Sequence, residues 1–496
     1  MEPCDLDAVE ARRLIGARKL SSREMTESCI RRIEAVDNAV NAIVASCFNR
    51  ALAEAEAADA DVARGAELPL LHGLPVGVKD LEETAGLRTT YGSPIFRDFV
   101  PETDCGVVAR VRAAGGIVLG KTNVPEFGLG ANTRNAVYGA TGNPFDPARS
   151  AAGSSGGSAV ALATGMVPLA TGSDTGGSLR NPAAFCGIVG FRPTPGLVPN
   201  ELRRHGWNPL PVLGPMARTV PDLCLLLAAM VSDDARDPLA TTICGRTVRR
   251  PEDFVIPAPV DLSSVRAAFS PDLGFAPTEE HIARVFAGKC ALFRHVFAAA
   301  EDTTPDCTGA DEAFEVLRAV GVLGSHLEKV RTRPQDCGPN LHANVEDGLR
   351  YTAADVAHAT SLQTALYRRW QEFFARFDLL ITPGITISPR SWRELYPAEI
   401  DGKPTRTYFH WLALSYAVTL TGHPAVCLPV GRDEVGMPFG LQLVGPRGGD
   451  AYVLAMAAAL ERLLAGDERT ARSKPDVAAL AKAPPISEMP GFMGFG

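Results

Sequence analysis

The sequence predicts an α/β fold, a single large mixed and mostly parallel β-sheet flanked by helices, and three observations carry that prediction. From about Leu74 short apolar runs alternate with helical patterns, the rhythm of strands covered by helices. Strand patterns return late in the chain, at Leu379-Leu380-Ile381-Thr382, Ala425 to Val430 and Phe439 to Val444. Signals at both ends favour one sheet spanning the chain, although 496 residues would allow about three domains by length alone.

The first 60 residues read as helices. Ser21 and Glu24 have capping-box spacing, and Met25, Cys29, Ile30, Ile33 and Val36 follow as a helical stripe. Ala51 to Ala60 is rich in Ala and Glu. Val76-Gly77-Val78 reads as a strand ending on Lys79. Thr103 or Asp104 can cap a helix carrying Val107, Val108 and Val111, with Gly115-Gly116 at its end. Ile117 to Leu119 is the next strand. Ser155 to Gly165 is a helix of small residues, Val167 to Thr171 a strand and Ile188 to Phe191 another. Signals weaken from about 237 to 345, where prolines at 251, 257, 259, 271 and 277 punctuate short segments. His281 to Phe297 and Ala353 to Phe377 are helical patterns, and Arg432 to Gly436 joins the last two strands as a hairpin. Asp450 is placed to cap a final helix through about Leu464. The boundaries expected are an N-terminal helical region 1–70, a main domain 71–470 and a loosely ordered, Pro/Gly-rich tail 471–496.

Bulk properties exclude several classes. A net charge of -8 argues against nucleic acid or an anionic membrane as the main partner. The eleven cysteines, Cys244 among them, include no Cys-x-x-Cys pair and no zinc-like His/Cys spacing. Such a dispersed, odd set suits reduced thiols, and Met1-Glu2-Pro3-Cys4-Asp5 lacks the apolar core of a signal peptide. The expectations are a cytoplasmic enzyme, no metal and no organic cofactor.

The chemistry concentrates in two glycine-serine loops and a lysine. Gly153-Ser154-Ser155-Gly156-Gly157-Ser158 opens a helix, and Gly172-Ser173-Asp174-Thr175-Gly176-Gly177-Ser178 follows a strand. Alone, Ser154 or Ser155 reads as a helix N-cap and Ser178 as a turn serine. No histidine lies between the loops, so a Ser–His–Asp arrangement is not the natural reading. Gly-x-Ser-x-Gly would suggest a nucleophile elbow, but that needs a preceding strand, and Asn143-Pro144-Phe145-Asp146-Pro147 promises none. No Gly-Lys-Ser/Thr follows, which leaves a phosphate-cradling loop weak. Lys79, set among glycine and valine, is placed to lose its hydration and with it its proton. A neutral amine is a base where an ammonium is not. Thr175, Gly176 and Gly177 offer consecutive backbone N–H groups to an oxyanion.

These segments resemble the amidase signature family of serine hydrolases in order and spacing: Gly-Val-Lys-Asp, Gly-Ser-Ser-Gly-Gly-Ser and Gly-Ser-Asp-Thr-Gly-Gly-Ser-Leu-Arg-Asn-Pro-Ala, resuming at Leu420-Thr421-Gly422-His423-Pro424. The resemblance implies the amidase signature fold, with 71–470 its catalytic domain and 237–410 a variable substrate-pocket region. It implies Ser178 as nucleophile, Ser154 as a bridging serine in cis conformation and Lys79 as base, with an oxyanion hole at Thr175, Gly176 and Gly177. Asp174 and Arg180 would support the loop. Ala152 stands where the family usually has glycine, and Thr419 where it often has asparagine near the pocket. Phe127, Trp207 and Thr419 are the candidate substrate-binding residues, and Arg203, Arg204 and His205 also fall in a segment placed to line the entrance.

The expected activity is hydrolysis of C–N acyl bonds in linear amides, aryl amides first and carbamates next, through an acyl-enzyme. The partner is then a small-molecule amide or carbamate, with no nucleic acid and no membrane, and a homodimer is an assembly this reading allows. The glutaminase component of a tRNA-dependent amidotransferase is the alternative, and a non-catalytic binding protein on the same scaffold a third class.

Overall fold

The computed structural model describes residues 2–240, 242–243, 246–247 and 249–493. Its centre is an eleven-stranded sheet. The strands are β1 (Ile43–Ser46), β2 (Pro75–Lys79), β3 (Ile117–Thr122), β4 (Leu169–Asp174), β5 (Val189–Arg192) and β6 (Val212–Ala217), then β7 (Arg266–Phe269), β8 (Ala299–Asp302), β9 (Leu379–Pro383), β10 (Ala425–Arg432) and β11 (Pro438–Val444). They lie in the order β1-β3-β2-β4-β6-β5-β10-β11-β9-β7-β8. Each half of the sheet is therefore built from one half of the chain, and the seam is the β5–β10 pair, with Phe191 opposite Val426.

The sheet is mixed, but antiparallel pairing predominates, a correction to the expectation of a mostly parallel sheet. Parallel pairing is confined to β3–β2–β4 and to β9–β7–β8. β1–β3, β4–β6, β6–β5, β5–β10, β10–β11 and β11–β9 are antiparallel. The apolar runs gave seven of the eleven strands, β2 to β5 and β9 to β11, and missed β1, β6, β7 and β8. Their direction depends on which strands become neighbours, and fully buried strands read alike in either sense.

Most helices cover this sheet, and a single apolar core runs through both halves. The Ser21/Glu24 capping box forms on helix Ser22–Val40. Within the stretch expected to be all helix, Ile43–Ser46 instead makes the edge strand β1, too short to show a period. Helix Asp450–Leu464 begins beyond Gly449, and the Asp450 carboxylate accepts from Thr194 N and Oγ1 rather than capping. Residues 146–150, expected to form no strand, pair with Gly142–Asn143 in a small hairpin apart from the main sheet. The tail is docked rather than loose. Ile486 packs with Ala140 and Trp392, Gly491 O accepts from Arg134 at 2.9 Å, and Pro490 O accepts from Arg393 at 2.9 Å. Proline and glycine there shape a fitted path, and one buried isoleucine anchors it.

The weak-signal region holds a long helix, Ala310–Thr332, packed on Pro339–Arg350, Ala353–Arg376 and Ala413–Thr421. Every cysteine among the described residues is a free thiol, and Cys244 lies outside them. Among the described residues no helix is long and apolar enough to cross a membrane.

Candidate active site

β3, β2 and β4 are parallel, so Thr122, Lys79 and Asp174 end at the same edge of the sheet. The carboxyl ends of parallel strands are where open α/β sheets gather ligands. Helix Gly156–Ala163 runs back along the sheet into β4, which brings Ser154 and Ser155, just before its first turn, to that edge.

Lys79 is fully buried. Its Nζ donates to Ser154 Oγ at 2.8 Å, Ser155 Oγ at 2.8 Å and Ser173 Oγ at 2.9 Å. Three hydroxyls match three ammonium protons, yet no ion pair reaches Lys79 among the described residues. Burial pushes the ammonium down to about 7, against the opposing pull of Glu82 and Asp174. The Gly153–Ser154 peptide is cis. Ala152, with φ 57, occupies the left-handed region that glycine prefers, and it is pinned there by Thr133 N and Oγ1, which donate to its carbonyl. Asp80 points the opposite way from Lys79, as neighbours on a strand do, and accepts from Thr90 Oγ1 at 2.6 Å.

Ser178 is half-buried and its hydroxyl makes no hydrogen bond among the described residues. Ser155 N donates to Ser178 O at 3.3 Å, tying the two serine loops together. Asp174 organises the loop. Its carboxylate accepts from Gly177 N at 3.0 Å, Leu179 N at 3.1 Å, Arg180 Nε at 3.0 Å and Arg192 Nη1 at 3.0 Å, and all three charged side chains are buried. Burial works to raise this carboxyl, and the two guanidiniums override it and hold it far below the usual range.

Of the three expected oxyanion donors, Thr175 and Gly176 line the cleft, whereas the Gly177 N–H is taken by Asp174. Gly177 is there for another reason: with φ 112, a Cβ would lie 2.6 Å from Ser415 Cβ.

Ser178 stands at the junction of two cavities. A cleft of about 210 Å³ is lined by Phe127, Phe314, Tyr408 and Phe409, with Arg203, Arg204 and Arg318 but no carboxylate. A recess of about 210 Å³ on the other side holds Ser154, Ser173, Glu82 and Glu201 but no lysine or arginine. Phe127 lines both. Trp207 does not: it is 81% exposed, because Arg203 bonds to Asp237 and Asn208 O and turns residues 203–205 inward instead. Thr419 is also no wall. It is buried and receives a bond from Arg180 at 3.2 Å. Trp370, Trp392 and Trp411 are core residues.

Sequence reasoning missed Ser173, Glu82, Phe314 and Arg318. Ser173 had a signal: with Thr171 it occupies alternate positions of β4, so both side chains face Lys79, and Thr171 Oγ1 accepts from Lys79 N at 3.0 Å. Glu82 is buried with Oε1 unpartnered, while its Oε2 accepts from Thr171 Oγ1.

The model of the family described as Amidase matches residues 24–454. An acylamidase of Rhodococcus erythropolis is 33% identical over 464 residues, which covers 92% of this chain and 95% of that one. A glutamyl-tRNA(Gln) amidotransferase component from Anaeromyxobacter dehalogenans is 33% identical over 494 residues, covering 93% and 97%. The crystal structure of a bacterial aryl acylamidase superposes with a TM-score of 0.85 at 26% identity, covering 98% of this chain and 99% of that one.

Proposed function

The chain belongs to the amidase signature family, hydrolases of C–N bonds, and from that premise we propose that Ser178, Ser154 and Lys79 act in sequence on an aryl amide. The observation that carries this reading is the buried Lys79 Nζ, 2.8 Å from Ser154 Oγ and with no direct ion pair among the described residues. Neutral Lys79 takes a proton from Ser154 as Ser154 takes one from Ser178. Ser178 Oγ bonds to the acyl carbon, and the Thr175 and Gly176 N–H groups receive the oxyanion. On collapse Ser154 gives its proton to the departing nitrogen, and Lys79 restores it. Water then enters by the same relay and releases the acid.

Aryl preference is supported by the acylamidase and aryl acylamidase relatives. Aryl carbamates present the same carbonyl and are the next substrates. The amidotransferase relatives favour a second reading, a glutaminase. The cleft opposes it, offering arginines to the carboxylate of glutamine but no acid to its ammonium. An unpartnered charge taken from water costs several kcal/mol, and about 1.4 kcal/mol is a factor of ten. The expected order of kcat/KM is acylated aniline, O-alkyl N-aryl carbamate, then glutamine. Glutamine in first place would replace this reading with the second.

The pH profile follows from the base. Lys79 works only deprotonated and burial has pushed it down to about 7, so kcat/KM on a neutral anilide should rise with pH through the neutral range and level above it. The midpoint belongs to Lys79 and buried Glu82 together. A profile flat through neutrality would remove Lys79 as the base.

A further inference from the structure

Helix Ala310–Thr332 places Phe314, Arg318 and Gly321 along the wall of the ring-lined cleft. The Phe314 ring end approaches within 3.2 Å of where a Cβ on Gly176 would lie, so this helix touches the oxyanion turn. Arg318 stands four residues on, about 6 Å along the axis. It is 9% exposed. Arginine is seldom so buried unless paired, yet no carboxylate forms an ion pair with it among the described residues. Asp347 acts on it only at longer range. Its guanidinium lies 4.7 Å from the ring centres of both Tyr408 and Phe409, and Nη1 donates to Asn344 Oδ1. Asn344 in turn donates to Tyr408 Oη at 2.6 Å, fixing the ring. The planar fork is thus held in place, with donors in reserve, facing a cavity that contains no acid.

The two cavities also orient a substrate. The departing nitrogen must face Ser154 to receive its proton, and Ser154 lines the recess, not the ring-lined cleft. The acyl group therefore extends into the ring-lined cleft, toward Arg318. We infer that this cleft is a carboxylate subsite and that the preferred substrates are monoamides of short dicarboxylic acids, the far carboxylate bonding to Arg318. The orientation rests on the roles proposed for Ser178 and Ser154, and the subsite rests on the cleft alone.

The test compares release of nitroaniline from succinyl- and glutaryl-p-nitroanilide with release from the neutral butyryl and valeryl compounds. The wild-type enzyme should favour the anions by at least tenfold in kcat/KM, mainly through KM. Free glutarate should compete, and valeramide should not. R318M should cut the preference at least tenfold, and R318K should keep part of it. Equal kcat/KM for charged and neutral acyl chains in the wild type would overturn the inference. So would R318M lowering both classes alike, the result a purely structural arginine would give. A protein that cleaves neither anilide yet binds glutarate in calorimetry, with binding lost in R318M, keeps the subsite and removes the catalytic reading. Absence of glutarate binding removes the subsite.

Discussion

Replacing Ser178 by alanine is expected to abolish both turnover and covalent labelling by a serine-directed fluorophosphonate. Loss of a serine nucleophile elsewhere costs on the order of 10⁶ in kcat, and here no other hydroxyl shares its position. Ser154 and Ser155 both accept from Lys79 Nζ at 2.8 Å deep in the site, whereas Ser178 Oγ stands unbonded where the two cavities meet. Ser154→Ala should behave differently. It breaks the relay but leaves the attacking oxygen in place, so slow labelling should persist while amide turnover collapses. Intact-mass and peptide mass spectrometry after labelling separate the cases. A stable adduct on Ser154 or Ser155 in S178A would mean that the nucleophile has been misassigned.

The second large effect is expected from Asp174→Ala. Asp174 lies between the Arg180 and Arg192 guanidiniums and also receives Gly177 N and Leu179 N. Removing it strands two buried cations and frees the turn that presents Ser178. Breaking a buried pair from one side costs about 3–5 kcal/mol. The variant should show a lower urea midpoint and, in whatever fraction stays folded, a much slower fluorophosphonate reaction. Arg180 also donates to Ser415 O and Gln442 Oε1, so the damage should spread to the second half of the sheet. A wild-type midpoint together with wild-type labelling would sink this account of Asp174.

Much of this was legible in the chain, and the omissions have physical reasons. Lys79, Ser154 and Ser178 announce themselves because glycine-rich loops and a strand-end lysine are local features. Their convergence needed only that Val76 and Leu169 lie on neighbouring strands, as they do. The same locality makes Ser173 readable in hindsight. Arg318 was not, because it occupies a buried position of a helix that also carries Gly321 and Gly324, so its stripe dissolved into an apparent weak region. A charged residue that breaks an apolar period is a signal in itself, visible only once the helix is known. Trp207 misled in the opposite direction: a large aromatic beside a loop suggests a wall, and the Arg203–Asp237 clamp that turns it outward joins residues far apart in sequence. Thr419 misled likewise, since Arg180, which holds it, lies in the other half of the chain. Strand direction across the sheet escaped for the same cause, being fixed by long-range neighbours.

The seam of the sheet also has a meaning in time. Ribosomes make this chain from one end, and β1 to β6 can pair with one another as soon as Ala217 has emerged. The outer edge of β5 cannot be covered then, because its partner β10 begins at Ala425. At about 5–20 residues per second the nascent chain needs roughly ten to forty seconds to bridge that gap. Throughout it, Val189, Gly190, Phe191 and Arg192 offer an open strand edge, the kind of surface that pairs with a neighbouring chain. Conditions that slow translation lengthen that exposure, and those that lower the density of nascent chains reduce its consequences. Soluble yield of this protein is therefore expected to fall when the second half of the message is read slowly, even with the stability of the finished fold unchanged.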